Sequence, residues 1–266
     1  MEALNIFGPA SDTALLLGLS ASRVAVAFLL VPLFTNELIP GLVRNAMFLS
    51  IALLSLLLQP SPGPLNNLGG FQLMALFAKE AFIGAVIGFL FAGVMWAFEA
   101  AGSLIDTKAG TGQAQIADPL TGAQITLNGA FLGRLASYVF MAGGGFMMMI
   151  GTLLESYAIW PVRSAMPALT ATGVRLFESE FGRIMLLTLL IAAPALVLLY
   201  VIEGVLGLMN RFAQQLNVFS LSQSLKTVSA TWIILVQVVS LVQLLQDDLL
   251  SRSGIVLQSL RSLFGN

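Results

Sequence analysis

Residues 203–227 read EGVLGLMNRFAQQLNVFSLSQSLKT. Apolar side chains dominate both ends of this stretch, while Asn210, Arg211, Gln214, Gln215 and Asn217 concentrate in its middle. Side-chain amides at that density satisfy backbone groups left free at helix ends and hydrogen-bond across helices. The stretch therefore predicts a short helix–helix hairpin. Its two arms run from Phe181 to Met209 and from Val218 to Leu245, each longer than the ~20 residues that cross a hydrocarbon core.

The same signature recurs towards the amino terminus. Four more apolar stretches run from Thr13 to Phe34, Leu42 to Gln59, Leu73 to Ile105 and Leu127 to Leu154, which makes six in all. Asp12 can cap the first, the Pro40-Gly41 turn separates the first two, and the proline run from Pro60 to Pro64 ends the second. The third stretch is too long for one simple span: it is either two pieces or one helix extending well beyond a bilayer. The expected fold is an all-α membrane protein of about six long apolar helices arranged in hairpins. It forms one helical domain over residues 1–266, with hairpins in 1–105, a loop in 106–124 and further hairpins in 125–266. Glu2 and Asp12 stand where a cleavable signal would carry positive charge, so the amino terminus is expected to be retained.

Composition agrees and excludes several function classes. Hydrophobic residues make up 58% of the chain and charged ones 9%, against the roughly 25% charged residues of an ordinary soluble domain. Cys and His are both absent, which removes disulfides, thiolate nucleophiles, haem ligation, nearly all zinc and copper sites and the commonest general base. No catalytic, cofactor-binding or metal-binding residues are expected. A net charge of -1 without any basic block gives no footprint for nucleic acid.

Charge within the apolar stretches is the first oddity. Arg23, Lys79, Glu80, Glu99, Arg134, Glu203 and Lys226 lie in or at the edges of these runs, where each costs on the order of 2.5–3.5 kcal/mol at a bilayer centre. Arg23 and Glu203, flanked by apolar neighbours on both sides, are expected to be buried in pairs. Lys79, Arg134 and Lys226 either snorkel to an interface or face protein. The second oddity is topology: Lys and Arg do not alternate between successive loops, so the positive-inside rule gives no orientation. Gly84 with Gly88, Gly129 with Gly133, and the run Gly143–Gly145 allow close helix approach and imply protein neighbours. Met147–Met149 read as adaptable core filler.

The connection from Gly102 to Gln124, GSLIDTKAGTGQAQIADPLTGAQ, is too polar for lipid. In a membrane domain such backbone is packed in protein or lines an aqueous cavity. It lacks the Lys-Ser/Thr ending of a phosphate-binding loop, which leaves a surface loop or a pore-lining, pore-closing loop.

Taken together, these segments resemble the FliR/SctT export-gate family of flagella and type III secretion systems. The carboxyl-terminal match runs through Leu206–Leu208, Asn210, Arg211, Gln215–Asn217, Phe219 and Lys226. Supporting matches are Arg23, Pro32, Phe34, Pro40, Arg44, Gly102–Asp106, Gly110, Asp118, Pro119, the glycines at Gly143, Ser156, and Pro194 before Glu203. The resemblance covers nearly the whole chain. It implies a subunit present once in a hetero-oligomeric inner-membrane gate that exports unfolded polypeptides, with copies of FliP/SctR-like and FliQ/SctS-like partners and an FlhB/SctU-like switch protein beside it. It also implies a gate raised largely out of the membrane plane, which would account for both oddities. By position, the family's pore-plugging loop maps to Asp106–Gln124, with Asp106, Lys108, Gly110, Gly112, Gln113, Gln115, Asp118 and Pro119 as its marked residues. Subunit packing maps to Arg23, Glu203, Asn210, Arg211, Gln215, Asn217 and Lys226. The family's methionine constriction belongs to a smaller partner, so Met147–Met149 do not inherit it.

Departures point to a branch. Gln214 stands where the family has Pro, and Ser222-Gln223-Ser224 where flagellar members have Gly-Phe-Pro; the Ser-Leu-Ser element followed by Lys226, and a glycine run without the His that many flagellar members carry, lean towards injectisomes. Two readings of other classes compete with the export gate. A six-helix secondary transporter or ion channel would bind its substrate at Arg23, Glu99 and Glu203, but it asks for an internal repeat, and no convincing one is present. An intramembrane enzyme would need a carboxylate dyad such as Glu99 with Asp106.

Overall fold

The computed structural model describes residues 10–34, 39–58, 69–111, 116–117, 124–164, 171–212 and 218–263. Among these residues the fold is helical, as expected, with seven helices: α1 (Ala10–Leu30), α2 (Gly41–Leu58), α3 (Gly70–Ala109), α4 (Leu127–Ala142), α5 (Gly145–Ile159), α6 (Ala171–Phe212) and α7 (Val218–Leu263). Two short strands, β1 (Ile116–Ala117) and β2 (Gln124–Ile125), pair antiparallel, Ile116 opposite Ile125 and Ala117 opposite Gln124. Among the described residues, five helices are long and apolar enough to cross a membrane, or six segments if α4 and α5 count as one span.

At one stretch the structure selects the long single helix over two pieces, and at another it departs from the sequence reading. The third apolar stretch is a single helix of 40 residues, about 60 Å long at ~1.5 Å per residue, twice the ~30 Å of a hydrocarbon core. The fourth, expected as one helix, is broken into α4 and α5. Gly144 adopts φ +81°, a left-handed conformation that any side chain would resist, so the glycine run serves here to break a helix. A smaller difference lies at the amino terminus, where α1 starts at Ala10 and Asp12 sits buried inside its first turn.

The chain divides into two compact units, residues 1–92 with 144–179 and 251–266, and residues 93–143 with 180–250. In the first, α1 and the first half of α3 approach closely. A Cβ on Gly84 would run into the Arg23 carbonyl oxygen, and one on Gly88 would come within 2.6 Å of that of Ala27. Leu19, Val24, Ala27 and Phe28 of α1 and Ile83 and Ile87 of α3 are fully or almost fully buried. Phe28 meets Phe34 edge-on at 4.6 Å and stacks on Phe48 at 5.5 Å, and Phe34 stacks on Phe146 at 5.8 Å. The Tyr157 hydroxyl of α5 donates to the Ser20 carbonyl at 2.7 Å.

In the second unit the last turns of α3 pack on the start of α4. Gly102 leaves no room for a Cβ against the Asn128 carbonyl, and a Cβ on Gly129 would come within 2.7 Å of the Ser103 hydroxyl. Thr188 of α6 donates to the Ala97 carbonyl of α3 at 3.4 Å. Arg183 of α6 pairs with Glu180 and with Asp248 of α7. Large apolar side chains stay exposed along α6, among them Phe181, Leu186, Leu190, Val197, Val201 and Phe212, and along α7, among them Val228, Trp232, Val236 and Val239.

Candidate functional site: charged clusters and the base of the central loop

Arg23 is wholly buried, as its apolar surroundings required. Its Nε donates to Glu80 Oε2 at 2.7 Å, Nη1 to Ser156 Oγ at 2.9 Å and Nη2 to the Trp160 carbonyl at 3.0 Å, while the guanidinium lies 4.0 Å above the Tyr157 ring. Lys79 does not snorkel. It is 1% exposed, and its ammonium donates to the carbonyls of Pro161, Val162 and Ser164 at 3.1, 2.6 and 3.1 Å and pairs with Glu80 Oε1 at 3.0 Å. Two cations thus share one carboxylate. The surplus positive charge falls on backbone oxygens at the end of α5, where free carbonyls and the helix dipole favour cations.

The base of the central loop is a second built arrangement. Asp106, in the last turn of α3, is 1% exposed. Its Oδ2 accepts the backbone N–H of Asn128 at 2.8 Å, and its Oδ1 accepts Asn128 Nδ2 at 2.6 Å. Asn128 lies in the first turn of α4, so the carboxylate caps that helix from outside its own sequence neighbourhood. Thr111 Oγ1 reaches Asp106 Oδ1 at 3.3 Å, and Thr126 Oγ1 reaches Ser103 Oγ at 3.3 Å. Gly110 terminates α3 at φ +86°, with the Thr111 N–H returning to the Asp106 carbonyl at 3.0 Å.

Lys108 joins a third cluster. Its ammonium is 3.0 Å from Glu203 Oε2 and 4.1 Å from the Tyr200 ring centre, and Lys226 approaches Glu203 Oε1 at 3.6 Å. Glu203 is paired, but its side chain is 48% exposed, which corrects the expectation of burial. It sits where α6 faces outward, and the two lysines come to it. Gln223 Nε2 donates to the Gly110 carbonyl at 3.2 Å.

The structure therefore brings together residues that the sequence kept apart, Lys108 of the loop set with Glu203 and Lys226 of the packing set. Asn210 and Arg211 are exposed at the end of α6. Gly112, Gln113, Gln115, Asp118, Pro119, Gln215 and Asn217 lie outside the described residues. Met149 is buried and Met147 is 69% exposed. Sequence reasoning missed Asn128, Tyr157, Tyr200 and the carbonyls of residues 160–164. Asn128 had a signal, a lone amide two residues into an apolar helix, whereas backbone carbonyls have none. Among the described residues, no three acidic side chains converge as a metal site would need.

The family described as "Bacterial export proteins, family 1" matches residues 14–251. Yop proteins translocation protein T of Yersinia pestis is 32% identical over 217 residues, covering 80% of this chain and 82% of its own. Surface presentation of antigens protein SpaR of Salmonella typhimurium is 29% identical over 82% of this chain and 80% of its own. Flagellar biosynthetic protein FliR of Bacillus subtilis is 26% identical over 91% of this chain and 93% of its own. With its apolar helices and a match spanning most of its length, the chain belongs to the FliR/SctT family of bacterial export proteins.

Proposed function

We propose that this chain is a structural and gating subunit of a type III protein export gate, seated in the inner membrane within a secretion-system basal body, with the injectisome branch favoured. Unfolded polypeptides would pass through a pore that the chain encloses together with FliP/SctR-like and FliQ/SctS-like partners, beside an FlhB/SctU-like switch protein. The whole chain would act as one gate domain, and the segment from Asp106 to Gln124 would close the pore at rest.

One observation carries this reading. Exposed large apolar side chains run along α6 from Phe181 to Phe212, about 46 Å at ~1.5 Å per residue, and a hydrocarbon core covers only ~30 Å of that length. The remainder needs protein cover, which a gate of several subunits supplies and a solitary bundle does not. The transporter alternative loses one of its three residues, because the partners of Arg23 are already supplied from within the chain.

Co-expression with the two small partners and purification in mild detergent should give a stoichiometric hetero-oligomer. Deleting residues 112–117 should then leave assembly intact and make the membrane leaky to small ions. An isolated monomer that moves solute in vesicles would overturn the gate; an assembled gate with unchanged permeability after the deletion would overturn the plug.

A further inference from the structure

The central loop leaves α3 and enters α4 through two stems held together by more than chain connectivity. Asp106 takes two hydrogen bonds from Asn128, one from the backbone N–H and one from the side-chain amide, at 2.8 and 2.6 Å. Next to this pair, Gly102 lies against the Asn128 carbonyl with no room for a Cβ, and the Ser103 and Thr126 hydroxyls meet at 3.3 Å. The carboxylate is 1% exposed, so it faces neither solvent nor a passing polypeptide. Among the described residues, the donors that reach it lie on the loop's own stems: Thr111 on one, Asn128 on the other.

We propose that Asp106 is a positioning residue for the central loop, zipping its two stems by the geometry of the paired bonds from Asn128. This rests on the plug reading, because it assigns the residue that fixes where the plug is rooted. A carboxylate matches the two Asn128 donors with two acceptors. An amide at 106 can keep both contacts only if the Asn128 amide flips, and it then exchanges charge-assisted bonds, among the stronger ones a protein makes, for neutral ones.

The arrangement permits a swap. With Asn at 106 and Asp at 128, the 106 side-chain oxygen can accept the backbone N–H of residue 128 and its amide can donate to the new carboxylate. Both bonds survive while the charge moves across the pair. The chain has no cysteine, so Ser103→Cys with Thr126→Cys gives a clean report on stem separation. In the assembled gate carrying this pair, Asp106→Asn should slow disulfide formation about tenfold, the equivalent of one charge-assisted bond, and adding Asn128→Asp should restore the parental rate. Without the cysteines, D106N should raise the resting ion leak and D106N/N128D should return it to the parental level. If D106N fails to assemble, Asn128→Ala, which loses one bond and keeps the other, should slow disulfide formation by a smaller factor. Unchanged disulfide formation in the single variant, or a swap no better than it, overturns the proposal. If deleting residues 112–117 causes no leak, the plug reading falls, and the disulfide rates still decide the role of Asp106.

Discussion

Replacing Glu80 with Gln should destabilise the protein far more than the same change at Glu203, although both carboxylates serve two cations. Glu80 is 0% exposed and lies 2.7 Å from Arg23 Nε and 3.0 Å from Lys79 Nζ. Its removal leaves a buried guanidinium and a buried ammonium facing each other with only neutral oxygens between them. Breaking a buried pair from one side costs about 3–5 kcal/mol, a large part of the ~5–15 kcal/mol that holds a domain together. The folded-to-unfolded ratio should therefore fall by roughly 2 to 4 orders of magnitude. Glu203, with a side chain 48% exposed, makes the surface type of pair, where solvent and side-chain entropy leave about 0–1 kcal/mol. Thermal unfolding of the full-length protein, assembled with its partners in detergent, separates the two: E80Q should lower the midpoint by many degrees and E203Q by few. Lys79→Met added to E80Q should recover part of the loss, since one of the stranded cations is then gone. Equal effects of E80Q and E203Q, or no recovery in the double variant, would refute the argument that burial sets the cost.

Three glycines give further tests. Gly84→Ala should cost about 1–3 kcal/mol, because its Cβ would collide with the Arg23 carbonyl and force α1 from α3. Gly151→Ala on α5 meets nothing within 4 Å and should be neutral or stabilising by up to ~1 kcal/mol, the two being compared by unfolding midpoint. Gly110→Ala should cost about 1–2 kcal/mol because of its φ of +86°; amide exchange at Thr111, whose N–H closes that turn, should quicken while exchange in α1 stays unchanged.

Legibility in the sequence followed the range of the interaction. Apolar stretches long enough for helices were visible because periodicity and proline punctuation are local, and the boundaries of α2 moved by a single residue at each end. Burial of Arg23 was also visible, since about ten apolar neighbours on either side leave a charge nowhere to go but a partner. The partner was not visible. Glu80 lies 57 positions away and looked like one more misplaced charge, as did Lys79, whose ligands are mostly backbone carbonyls with no residue type to betray them. Glu203 was misjudged for the same reason in reverse: apolar neighbours in sequence were read as cover, but on α6 they are themselves exposed. The break in the fourth stretch turned on Gly144, and a glycine run reads equally as a packing surface or a kink until φ is known.

The charges of the two buried clusters follow one rule. In the first unit, both cations end on carbonyls at and just after the carboxyl end of α5: Arg23 on Trp160, Lys79 on Pro161, Val162 and Ser164. In the second, Asp106 ends on an N–H at the amino end of α4. Cations on carbonyl ends and an anion on an N–H end is the pairing that helix dipoles and unsatisfied termini favour. Ionisable groups inside apolar segments ordinarily mark a path for ions or protons, but such a path needs groups with ligands to spare. Glu80, Lys79 and Arg23 spend theirs on each other and on one helix end, and Asp106 spends its own on another. Glu203 with Lys108 and Lys226 is by contrast a cluster able to exchange partners at low cost, because it is partly exposed and made of flexible side chains. If movement in the working protein is read anywhere by charge, it should be there, and mutations in the two buried clusters should change stability and stem closure without shifting the ion dependence of export.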